Sequence, residues 1–230
     1  MRYTWVTRTP GVGEMKMGGS SSSSGKRRDA EKSRPGSPRR RRYVFKLAET
    51  PQELEDVHRL LYQTFVVEIP RYDDPGTDYL VDKYHDRNLY FVALCNGRVC
   101  GMAAVHDQPP FSVAAALDDP DVLHRLSRRL LEVRIFAVEP RERFGLVFAG
   151  VAWSIHEYAK SSGYRQIVIS GLAGREPMYE RLGFLRLGPP RLRGSEHFVP
   201  MALDLSRLPK KVKQDLQRWN RRRATPAEER

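Results

Sequence analysis

Apolar and polar positions between Leu130 and Phe184 change period twice, marking off a strand, a helix and a second strand. Val133, Ile135 and Ala137 alternate with Glu132, Arg134 and Phe136, the two-residue period of a β-strand from Glu132 to Val138, and Pro140 closes it. Phe148, Val151, Ala152, Ile155 and Ala159 then recur at helical spacing and define one apolar face. Gly163 stands where a helix C-terminus favours a residue at ease with positive φ. The run Ile167-Val168-Ile169 is short, β-branched and apolar on both faces, as in a strand buried in a parallel sheet. Together these predict a right-handed βαβ crossover. Its loop, Arg141 to Val147, leaves the C-terminal end of a strand and enters a helix N-terminus, where ligand phosphates collect in open α/β sheets.

Upstream, Tyr43 to Leu47 reads as a first strand, and Thr50-Pro51-Gln52-Glu53 is a capping box ahead of a helix whose apolar stripe is Leu54, Val57, Leu61 and Phe65. Two β-rich runs meet at Asn96-Gly97, the signature of a type I′ hairpin. Between these units the polar segment Glu68 to Arg87 predicts one short helix, Thr77 to Tyr84. His106 to Phe111 breaks the sheet, and a polar insert, Asp118 to Ser127, leads back to the central strand. After a short helix around Tyr179, Phe184 to Leu187 and His197 to Leu205 read as closing strands. From Pro209 a basic helix runs on with Val212, Leu216 and Trp219 on one side.

Charge divides the 230 residues. Residues 1–42 hold 12 Lys/Arg against 3 Asp/Glu, and 207–230 hold 9 against 3, so the net +12 resides in the ends. With few apolar residues and a serine run, 1–42 predicts a disordered basic tail. Residues 43–206 make one α/β domain, and 207–230 a basic helical segment that frays. The arginine runs carry no interleaved aromatics for base stacking, so nucleic acid is not the favoured partner of the tails. Cys95 and Cys100 flank the hairpin turn at a spacing that suits neither a disulfide nor a metal site. No apolar run reaches the ~18 residues of a membrane span, and Met1 to Ser24 lacks a signal-peptide core, which points to a cytoplasmic setting.

The stretches VRIFAVEP, VISG and PMYERLGF, with the Arg-containing loop between the first two, resemble the acyl-CoA-binding half of the GNAT acyltransferase superfamily. The resemblance runs from about Tyr43 to Ser206 and implies a mixed, twisted sheet around the central βαβ unit, with flanking helices. It implies N-acyltransfer, most simply of acetyl, from acetyl-CoA or another acyl-CoA to a small amine-bearing acceptor, without a metal. The family's glycine-rich phosphate loop has Leu146 and Phe148 at its glycine positions here, leaving Gly145. That departure, with Glu132-x-Arg134, is more similar to autoinducer-synthase-type and N-acyl amino acid synthase members, which take acyl groups from an acyl carrier protein. A GNAT-shaped module that binds a ligand without turnover is the alternative from another class.

On that resemblance, two strands splay after Phe136 and Ile169, and Ala137 and Val138 line the gap that takes the pantetheine arm. Arg141 and Arg143 supply charge to the phosphates, and Phe144, Gly145 and Leu146 supply backbone donors. Tyr179 stands where many such enzymes hold a general acid for the departing thiolate. Glu132 is the candidate base acting through water; the alternative is an intrastrand pair with Arg134, which could itself hold an acceptor carboxylate. Asp82 and His106 complete the candidate acceptor side, Asp82 from the polar segment after the first helix and His106 from a strand end.

Overall fold

The computed structural model describes residues 43–127, 129–143 and 145–224; the expected tail 1–42 and candidate Phe144 lie outside the described residues. Among the described residues eight strands form one mixed sheet: β1 (Tyr43–Leu47), β2 (Leu89–Cys95), β3 (Arg98–His106), β4 (Leu130–Val138), β5 (Gln166–Leu172), β6 (Leu185–Arg186), β7 (Arg191–Arg193) and β8 (Glu196–Asp204). The order is β1-β2-β3-β4-β5-β8-β6, with β7 paired to β8. Of these pairs only β4 and β5 run parallel; the others are antiparallel. Helices α1 (Pro51–Tyr62) and α3 (Leu146–Ser161) cover opposite faces, each on its own set of alternating strand residues. Short helices α2 (Val122–Leu126) and α4 (Glu176–Leu182) and the longer α5 (Lys210–Ala224) complete the chain.

Local signals place most ends. Thr50 Oγ1 accepts from Glu53 N at 3.2 Å, while Glu53 accepts in return from Thr50 N. Asn96 and Gly97 both adopt positive φ, as a type I′ turn requires. α3 rides so close to the sheet that a Cβ on Gly150 would lie 2.1 Å from the Phe45 ring.

The structure departs from the periodicity in four places. First, β3 pairs Ala104 with Ile135 but Val105 with Val133, so Arg134 is an extra, bulged residue. Val133 therefore joins the core under α3, while Ile135 and Ala137 join the core under α1. Second, α1 does not continue through Phe65. Gln63–Glu68 unwinds into a π-helical turn in which Ile69 N donates to Thr64 O at 3.0 Å. Third, Thr77 to Tyr84 is not a helix, because its polar groups are spent elsewhere. Asp78 meets Arg59, Leu80 N–H bonds His58 O, and Asp82 reaches Arg134. A single 3₁₀ turn comes next at His85–Arg87. Fourth, the insert 118–127 carries α2, and β7 forms a hairpin with β8 that the periodicity did not suggest.

Both cysteines are free. Burial pushes the Cys100 thiol up to about 12, since a thiolate there would lose its hydration. We expect a thiol reagent at pH 8 to modify half-buried Cys95 first, with Cys100 at least tenfold slower until the protein unfolds. Equal rates would mean that the β2–β3 hairpin opens locally. Among the described residues no helix is long and apolar enough to cross a membrane.

Candidate active site

The sheet forks at its centre. β4 and β5 pair at Leu130–Gln166, Leu131–Ile167 and Glu132–Val168, and no further. β4 then continues against β3 to Val138, while β5 continues against β8 to Leu172. On β4 the fork therefore opens after Glu132 rather than after Phe136. The Arg134 bulge lies just beyond the last pair, where its added twist turns β4 away. Ala137 and Val138 pair with Met102 and Gly101 on β3, so the other edge of this stretch faces the fork.

At the fork's closed end Glu132 is fully buried. Its carboxylate accepts from Ser112 N, Ser112 Oγ and Val113 N, each at 2.7 Å, and lies 2.9 Å from His106 Nε2. With its oxygens so occupied it fastens the end of β3 to the 3₁₀ turn Ser112–Ala116. The alternative offered for Glu132, an intrastrand pair with Arg134, does not form. Arg134, also buried, is gripped through two nitrogens by Asp82, takes Asn88 Oδ1 at 3.1 Å, and lies 3.9 Å from the centre of the Tyr84 ring. Asp82 thus neutralises the guanidinium that the sequence offered to an acceptor carboxylate. His106 is sandwiched between Tyr84 and Phe111, at 5.7 and 5.6 Å between ring centres, and its Nδ1 is buried without a partner.

Tyr179 sits beside the free length of β5. It is fully buried, and its hydroxyl accepts from Leu172 N at 3.3 Å. A Cβ on Gly171 would come within 2.7 Å of its ring, so only glycine lets the phenol lie against this backbone. Burial raises its pKa well above the ordinary phenol value, against the Leu172 N–H and the charges of Arg175 and Arg71. Ser170 shares its face with Val168, on the side away from α3, and its buried Oγ meets no partner. Arg71 ties the loop after the π turn to the start of β8 through Glu196, at 2.7 Å.

The loop residues divide. Gly145 and Leu146 are exposed, and α3 begins there with no side-chain cap, so its first-turn N–H groups stand open to an anion. Arg143 is buried, bonded to Val138 O at 3.0 Å and forked onto Glu68. Arg141 is exposed and lines a cleft of about 760 Å³ with Arg59 and Arg98. Sequence reasoning missed Ser112, Ser170, Arg71 and Glu196. Arg71 and Glu196 lie 125 positions apart, beyond the reach of any local pattern. Among the described residues no group of three or more His, Cys, Asp or Glu could hold a metal ion.

No protein-family model and no curated protein matches the sequence. Solved structures do match its shape. The AHL synthase LasI superposes with a TM-score of 0.60 at 19% identity, over 76% of this chain and 95% of that one. FeeM, an N-acyl amino acid synthase from uncultured soil microbes, gives 0.57 at 16% identity, over 73% and 92%. BjaI, a CoA-dependent acyl-homoserine lactone synthase solved with SAM and isopentyl-CoA, gives 0.56 at 22%, over 76% and 83%. A mixed sheet forked at a bulged central strand, with an uncapped helix rising from that strand's end, is thus the GNAT-superfamily fold in a form near the autoinducer synthases.

Proposed function

We propose that the protein transfers an acyl group from a pantetheine thioester to an amine by direct displacement inside the fork. The observation that carries this is the opening of β4 from β5 after Glu132 and Val168, beside the uncapped N-terminus of α3. Unpaired N–H groups along the fork suit the amides of a pantetheine arm and the thioester oxygen as it gains charge, while the helix N-terminus suits the phosphate. The amine approaches from the α1 side, past Ser170. A new C–N bond forms, the C–S bond breaks, the amine releases a proton to water, and the thiolate takes one from Tyr179. Glu132 and Asp82 are positioning residues here: one holds His106 and Ser112, the other holds Arg134. The unit from Tyr43 to Ser206 carries these roles, and the reducing cytoplasm suits its two free thiols.

The donor has a second reading. Leu146 stands at the first position of α3, and the outward side of α5 is basic, with Lys210, Lys211, Lys213 and Arg218 exposed. One phosphate of a carrier-bound pantetheine fits such a site with less crowding than the diphosphate of CoA, and an acidic carrier protein complements the helix. The test is incubation with matched acyl-CoA and acyl carrier protein donors and a panel of amines and amino acids, reading acylated products by mass spectrometry. No product from either donor with any amine would overturn the transfer reading.

The two arginines give separate outcomes. Arg141→Ala should weaken CoA binding several-fold in calorimetry and leave the melting temperature unchanged. Arg143→Ala should lower the melting temperature, because it removes the forked contact to Glu68 and the hydrogen bond to the Val138 carbonyl. Reversal of these effects would move the phosphate site away from Arg141.

A further inference from the structure

Residues 77–88 form a strap that crosses from α1 to the bulge on β4. At one end Asp78 and Tyr79 meet Arg59 and Glu55, and Leu80 N donates to His58 O at 3.1 Å. At the other, Asp82 and Asn88 hold Arg134, while the Tyr84 ring lies over the Arg134 guanidinium and stacks on His106. Between these ends two histidines meet. His58 Nε2 of α1 faces His85 Nδ1 of the strap at 3.4 Å, with the rings edge to face at 4.9 Å between centres. His85 Nδ1 also lies 3.1 Å from the Tyr90 hydroxyl on β2. Both imidazoles are half-buried.

We propose that His58 and His85 form an acid-sensitive latch, which fastens the strap to α1 at neutral pH and releases it when both rings carry a proton. The latch is independent of the acyl-transfer reading. Its geometry accommodates one added proton but not two. Neutral imidazoles share one N–H···N bond, and a single added proton leaves that bond in place, with imidazolium donating to imidazole. Once both rings are protonated neither facing nitrogen can accept, and two like charges stand at hydrogen-bond distance in a half-buried site. Burial first, and His85 second, hold the His58 imidazole below its ordinary pKa. The fold therefore favours neutral His58. The stability this contributes is complete above about pH 6.5, the unfolded value, and is lost as pH falls through the lower folded value.

The surroundings do not offset a second proton. Burial pushes the Tyr90 phenol up to about 12, so it stays neutral and supplies no counter-charge. Asp82 and Asp86 both act on that phenol, but Asp82 is bound to Arg134 and Asp86 is exposed to water. On α1, Glu55 is paired with Arg59 at 2.6 Å. Lys83 and Arg87 add positive charge beside Tyr84, at 4.6 and 5.8 Å from its ring centre. His106 reaches the strap from β3 through Tyr84, and is itself bonded to Glu132. The regular structure in the strap is one 3₁₀ turn, His85–Arg87, so its hold on the domain is the sum of these side-chain contacts. Release would uncover Tyr84 and Arg134 while the sheet stays paired.

The test is hydrogen exchange of the full chain, read by mass spectrometry from about pH 7.5 to about pH 5 and corrected for the intrinsic rate at each pH. Protection of residues 77–88 should fall about tenfold per pH unit below about pH 6.5, the response to one proton taken up on release, while β4 and β5 stay protected. His58→Gln and His85→Gln each keep a hydrogen-bonding group and remove one proton site, so either should abolish most of that dependence. Where one variant does not fold, the other decides. Strap protection that ignores pH in the parent would overturn the proposal. So would an undiminished fall in the variants, which would assign the acid response to His106. An equal loss of protection in β4 and β5 would mean that the whole domain unfolds in acid, and the latch would again be ruled out.

Discussion

Asp82→Ala should lower the stability of the protein by about 3–5 kcal/mol, the usual consequence of removing one partner of a buried ion pair. Asp82 grips Arg134 with two contacts, and the two side chains are 2% and 0% exposed, so solvent cannot take the place of the lost carboxylate. Asn88 Oδ1 and the face of Tyr84 stay beside the guanidinium as uncharged neighbours. For a domain of this size the loss corresponds to a fall of roughly 6–20 °C in melting temperature. The double variant Asp82→Leu, Arg134→Met should recover most of it, since no charge is then left unpaired. Urea unfolding of the two singles and the double measures the coupling. A single-variant loss below about 1 kcal/mol would mean that water reaches the pair and that the loop 69–84 is not pinned to the bulge by it.

Tyr179→Phe should reduce turnover by about 10²–10⁴ while leaving donor affinity and folding near the parent's, because the ring still packs against Gly171. The raised pKa has two consequences of opposite kind. It keeps the proton on the phenol throughout neutral pH, as a donor to thiolate requires, and it makes the phenol a weaker acid, which favours the lower end of that range. The same shift predicts an alkaline limit. A phenol that holds its proton more tightly when folded contributes stability in full below about pH 10, the unfolded value, and that contribution is lost as pH rises further. Parent protein should therefore weaken above about pH 10 more steeply than Tyr179→Phe. Single-turnover acyl transfer and unfolding free energy against pH test both parts. Unchanged turnover would make Tyr179 a packing residue and assign the proton to water.

Elements were legible where one local force decides them. The capping box, the Asn-Gly turn, the β-branched run of β5 and the left-handed Gly163 each need only near neighbours in sequence. The bulge at Arg134 was not legible, because it arises from a register set between β3 and β4. It reversed the facing of the residues beyond it. The candidate site was legible in its residues and not in their partners. Glu132, Arg134, Asp82 and His106 do converge on one side of the fork, yet each is committed to a neighbour that spacing cannot show. A buried carboxylate and an exposed one look alike in a sequence; four filled hydrogen-bond positions on Glu132 separate them.

The π-helical turn at Gln63–Glu68 makes chain length itself a structural element. Closing its bonds one residue wider than an α-helix, it absorbs one position and so sets the heading of the chain after it. Removing any single residue from the turn would let α1 wind on in ordinary register and rotate the loop beyond Glu68 by about 100°. Glu68 would swing off Arg143 and Arg71 off Glu196 in the same movement, releasing the loop ahead of α3 at one end and the β7–β8 hairpin at the other. Substitutions in this turn can be tolerated according to their side chains, whereas a one-residue deletion cannot. The spacing between α1 and Arg71 is fixed by count rather than by composition.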